Sequence, residues 1–132
     1  MNQTSRGFTI IEIIFAIIIL VFASTVFFIQ KSNIETAARD DRRKTAINAF
    51  YYSLEEVYVK TNGSYPRTLN ETTLPSVDPT LFKDADGVKI GETSSEYRYE
   101  PTNCNGDACA SYTLRADLEN EADFVKTQRN KN

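Results

Sequence analysis

Apolar residues are distributed very unevenly along this chain. From Phe8 to Ile29 it reads FTIIEIIFAIIILVFASTVFFI, an almost unbroken apolar run. As a helix, about 22 such residues span roughly 33 Å, enough to cross the hydrocarbon core of a membrane. Beyond it Ile34, Ala37, Ala38, Ile47, Phe50, Leu54, Val57 and Tyr58 recur at three- and four-residue spacings, the pattern of an amphipathic helix with one apolar stripe. The pattern stops at Thr61-Asn62-Gly63, read as a left-handed cap, and Tyr65-Pro66 follows. One helix is therefore expected from about Thr9 to about Lys60, on the order of 80 Å long. Residues 67–96 read as loop, with Pro75, Pro79, Gly87 and Gly91 and one short strand at Val88–Ile90. Strands are expected at Tyr97–Glu100 and Ser111–Leu118, the second placing Tyr112, Leu114, Ala116 and Leu118 on one face. The polar tail from Glu119 to Asn132 is expected to fray. The fold class is α+β: a long N-terminal helix on a small antiparallel sheet. Its expected parts are a leader over 1–7, an apolar helix over 8–30, its amphipathic continuation over 31–62 and a C-terminal head over 63–132.

Composition narrows the chemistry. Fifteen basic and eighteen acidic side chains leave a net charge of −3, against a nucleic-acid binder. His and Trp are absent from the sequence and Met1 is the sole methionine. No nucleophile–base pair, phosphate loop or carboxylate pair stands out, so neither an enzyme nor a cofactor is expected. Cys104 and Cys109 are read as a disulfide closing the link between the two strands. Two cysteines at this spacing, with no His or further Cys, make a poor zinc site. Asp84-Ala-Asp-Gly87 hints at a calcium loop but fails the EF-hand pattern, and a turn is the better reading. The run Arg39-Asp-Asp-Arg-Arg-Lys44 is read as a solvated face, with contacts between subunits as the other possibility.

The apolar run is too long for the roughly 7–15-residue core of a secretory signal peptide, and Ala23-Ser24-Thr25 is a poor cleavage signature. An ordinary single-pass anchor leaves Glu12 unexplained. A carboxylate deep in a bilayer costs roughly 2.5–3.5 kcal/mol, so such groups are functional by default.

The start of the chain combines a short polar leader ending in Arg6-Gly7, then Phe8, then Glu12 five positions after the glycine, then the apolar run. This resembles the class III signal of type IV prepilins, shared by type IV pilins and by the pseudopilins of type II secretion and competence systems. The stretch from Ala49 to Pro66, ending Asn-Gly-Ser-Tyr-Pro, is also similar to the end of the long helix in that family. The resemblance implies cleavage between Gly7 and Phe8 by a prepilin peptidase, and N-methylation of Phe8. It also implies assembly through Phe8 and Glu12, with Glu12 facing an N-terminal amine one helical turn away or on a neighbouring subunit. The expected function is a structural subunit of a type IV pilus, the alternatives being a pseudopilin or a monomeric membrane-anchored binding domain. The expected partners are other copies of the chain, the peptidase, an assembly platform and the membrane. The expected location is the cytoplasmic membrane for the single-pass precursor, then an extracellular pilus or envelope filament. The helix-breaking proline that many pilins carry late in the hydrophobic segment has no counterpart here.

Overall fold

A computed structural model describes residues 7–129 of the chain. The leader residues 1–6, Arg6 among them, and the last three residues lie outside the described part. Two units separate, Met1–Glu35 and Thr36–Asn132.

Helix α1 runs Ile10–Tyr52, passes into a π-helical turn Ser53–Tyr58, and ends as α2, Val59–Asn62. The helical run thus extends from Ile10 to Asn62, close to the expected span. It starts where Thr9 supplies a cap: Thr9 Oγ1 accepts the Glu12 N–H at 3.3 Å and the Thr9 carbonyl accepts the Ile13 N–H at 3.2 Å. It stops at Gly63, whose φ of 73° is the left-handed conformation a Cβ disfavours, and whose N–H reaches the Val59 carbonyl at 2.8 Å. In the first unit every described side chain, 7–35, is exposed; Ile10 and Ile11 are each 79% accessible. This helix is long and apolar enough to cross a membrane.

In the second unit the amphipathic half of the helix packs on the sheet. Ala46, Ile47, Phe50 and Leu54 are fully buried against Tyr97, Tyr112, Leu114 and Ala116. The loop region adds Leu74, Val77 and Phe82, the Phe82 ring lying 5.1 Å from Phe50. The stripe departs from expectation at both ends. Ile34 is 69% exposed, and after Leu54 the next buried apolar residue is Val59 rather than Val57. The π turn explains the second shift: Val59 donates its N–H to the Leu54 carbonyl, five residues back, so one extra residue rotates the apolar face.

The sheet is antiparallel, in the order β1 (Tyr65–Pro66), β3 (Ala108–Ala116), β2 (Tyr97–Asn105), with β4 (Phe124–Thr127) also on β3. Four expectations are corrected. The strand expected at Tyr97–Glu100 continues through Pro101 to Asn105; β2 is an edge strand, where proline is tolerated. Its partner spans Ala108–Ala116 rather than Ser111–Leu118, because both cysteines belong to the ladder instead of to a loop. Val88–Ile90 is no strand; Lys83 and Lys89 form a single isolated bridge around a turn. The tail does not simply fray: Phe124–Thr127 pairs with β3, and Lys126 lies over the Tyr51 ring at 5.3 Å from its centroid.

Cys104 and Cys109 face each other across β2 and β3 and are disulfide-bonded, with Cα atoms 3.9 Å apart. Gly106, at φ 62°, makes the tight turn between them. The bond closes a very short loop, so it restricts the unfolded chain little. Cys104→Ser with Cys109→Ser should cost well under the roughly 3 kcal/mol of a 15-residue loop. Thermal unfolding of the full chain in detergent, oxidised against reduced, measures this.

Candidate functional site

The residues singled out at the N-terminal junction lie at the start of α1. Gly7 precedes the helix, and a Cβ on it would meet nothing within 4 Å. Phe8 is 78% exposed. Glu12 occupies the first turn, where the unpaired N–H groups of the helix favour a negative side chain. Thr9-Ile-Ile-Glu12 has the spacing of a capping box, and the structure shows the Thr9 half of it. That motif was legible in the sequence and was missed there. Phe8 and Glu12 line one shallow hollow of about 410 Å³ together with Ile13, Ala16, Ile17 and Leu20. Glu12 is the sole ionisable side chain from Phe8 to Gln30. The arrangement is thus a single carboxylate beside an exposed aromatic ring, on a helix otherwise clad in apolar side chains.

Against the expectation of a solvated face, two of the six residues in the charged run 39–44 are buried. Asp40 and Arg43 are buried, at 3% and 4% exposure. They lie one helical turn apart and their side chains meet at 2.7 Å. Arg43 also donates from Nε to Glu96 at 2.9 Å, makes a second bond to the same carboxylate through Nη2, and pairs with Glu119 at 2.9 Å. Both Asp40 oxygens accept backbone N–H groups, from Glu119 at 3.0 Å and Asn120 at 3.1 Å. Arg39 grips Glu119 with two bonds of 2.7 Å. The cluster fastens the stretch after β3 to α1. Partners some 53 and 80 positions away cannot be read from helix periodicity, which is why it was missed.

The cluster makes the head acid-sensitive. Burial pushes the Asp40 carboxyl up, but the two backbone N–H groups and Arg43 outweigh it and hold the carboxyl below its ordinary value. Arg39 first, then Arg43, draws Glu119 down from 4.5 to about 2 against a smaller desolvation effect. A carboxylate with a depressed folded pKa stabilises the fold above its unfolded pKa and loses that contribution as pH falls through the folded value. The stability of the head should therefore fall from about pH 4.5 down to about pH 2. Thermal unfolding of the full chain in detergent across that range, with Glu119→Gln flattening the profile, checks this.

A second buried acid sits in the π turn. Glu55, 6% exposed, accepts from the phenols of Tyr65 at 3.0 Å and Tyr112 at 2.8 Å and from the Arg129 N–H at 3.1 Å. Burial, then the Glu55 carboxylate, pushes the Tyr65 phenol up to about 12, and Tyr112 rises for the same reasons. The π turn and the tail thus meet at one carboxylate.

Asp84 does not present its oxygens outward. Its carboxylate accepts backbone N–H groups from Asp86 at 3.0 Å, Val88 at 2.8 Å and Glu96 at 3.1 Å, a turn closed on itself. Among the described residues no group of three or more acids or cysteines could hold a metal ion.

Scans of the chain against protein-family models, curated proteins and solved structures found no match in any of the three.

Proposed function

We propose that this chain is a structural subunit of a type IV pilus-like filament. In this reading it is made as a single-pass membrane precursor, clipped and N-methylated at Phe8, and packed by α1 against copies of itself. The observation that carries the reading is the lone carboxylate of Glu12, one turn beyond Phe8, at the head of a helix whose apolar side chains through Ile29 are all exposed. Such a surface needs lipid before assembly and neighbouring helices after it. In a low-dielectric bundle the unpaired Glu12 is costly, and an N-terminal amine from an adjacent subunit relieves that cost. A neighbour docked one step out of register leaves both charges unmatched, so the pair sets the register as well as contributing energy. The head, fastened by the Arg43 cluster and the hairpin disulfide, is the part such a filament displays.

Shearing the native cells and probing the pelleted filaments for this chain tests the reading. Filaments built of the chain support it. Loss of protein export on deletion, with no such filament, replaces the pilus with a secretion pseudopilus.

A further inference from the structure

Ala16 is the only small side chain from Ile10 to Phe22. It follows Phe8 and Glu12 at four-residue steps and precedes Leu20 by four, so these residues form one ridge along α1. Ile13 and Ile17 flank it. The short Ala16 side chain interrupts the ridge and opens the hollow of about 410 Å³ between Glu12 and Leu20. Its walls are apolar except for the Glu12 carboxylate, and the Phe8 ring of the same chain is part of the lining.

That lining specifies an occupant carrying a cation and an apolar group close together. A second copy of this chain offers one such residue. From Phe8 to Gln30 it has no basic side chain, and Lys31, the first cation beyond, carries no ring. Once the chain is clipped before Phe8, that residue bears both an α-amine, protonated below an ordinary pKa of about 8, and an aromatic ring. We infer that the hollow over Ala16 is the seat for the N-terminal Phe8 ring of a neighbouring copy, with Ala16 setting the size of side chain that fits. The inference rests on the cleavage and assembly proposed above. It adds that the ring is selected by shape, where Glu12 selects only by charge. The seated ring would lie beside the host chain's own Phe8, which lines the same hollow, in an edge-to-face or offset contact of the kind aromatic pairs favour.

The test uses the full chain in its native cells, reading three quantities: the N-terminal residue by mass, the membrane-inserted pool, and the yield of sheared filaments. Ala16→Leu fills the hollow while keeping an apolar helix former. It should be clipped and inserted like the native chain, yet give at least tenfold fewer filaments. Ala16→Ser keeps the hollow and should assemble near the native level. Shrinking the ring in the same chain, Phe8→Val with Ala16→Leu, should raise the yield above that of Ala16→Leu alone. Native filament yield from clipped Ala16→Leu overturns the seat, as expected if the hollow holds only lipid. So does a double variant no better than the single one. A native chain that begins at Met1 instead of Phe8 is a separate failure, of the proposed cleavage itself.

Discussion

Glu12→Ala should leave the chain in the membrane and remove it from filaments, with yield at least tenfold below native. Insertion is not the step at risk, since removing a carboxylate from the apolar run lowers the cost of insertion by up to roughly 2.5–3.5 kcal/mol. The loss falls on assembly. In the proposed filament each neighbouring amine would then enter the bundle without a counter-charge, and every 1.4 kcal/mol of mismatch is about a tenfold loss in the assembly equilibrium. Glu12→Gln, which keeps a hydrogen-bonding side chain without charge, should fall between the two. The capping geometry supplies a control. Thr9→Val removes the bond to the Glu12 N–H but keeps the carboxylate, and losing an N-cap costs about 1 kcal/mol. If Glu12 acted mainly by holding its own helix end, Thr9→Val and Glu12→Ala would impair filaments alike. A charge role predicts a mild effect for the first and a large one for the second. Quantifying sheared filaments against the membrane pool for all three variants decides it, and native yield from Glu12→Ala contradicts the charge role.

The second large effect is expected in the head. Arg43→Met keeps much of the side-chain volume but leaves Asp40 and Glu96 without the guanidinium that joins them. Breaking a buried ion pair from one side costs about 3–5 kcal/mol, because Asp40 stays buried with its backbone N–H donors but with no counter-charge. For a domain of this size that is a melting-temperature drop on the order of 15 °C. Arg43→Lys should recover only part of it. One ammonium cannot reproduce a planar fork that reaches Asp40, Glu96 and Glu119 at once. Thermal unfolding of the full chain in detergent gives the answer; a drop of only two or three degrees would show that water solvates the cluster after all.

These two sites differ in how far the sequence reveals them. Glu12 is visible because its surroundings are contiguous: one acid in an apolar run is anomalous wherever the helix begins. The helix, its Gly63 terminus and the inward face of Tyr112, Leu114 and Ala116 were legible for the same reason, since local spacing and a glycine needing positive φ determine them. Arg43 looked like its solvated neighbours Asp41 and Arg42 because what buries it comes from Glu96 and Glu119, far along the chain. The π turn was hidden for a related reason. Its buried acid is held by Tyr65, Tyr112 and Arg129, partners that lie outside the helix and leave no trace in its local spacing. The strand Phe124–Thr127 was overlooked because four residues in a polar tail carry a weak pattern; pairing with β3 supplies what local propensity lacks.

The proposed mechanism depends on the N-terminus that the cell leaves on the chain. N-terminal sequencing and intact mass of the protein from its native cells read it directly. The expected chain begins at Phe8 and is heavier than the unmethylated residues from Phe8 onward by one CH2, the net gain when a methyl group replaces an amine hydrogen. A chain that begins at Met1 has no amine at Phe8 for Glu12 to meet, and would contradict the mechanism.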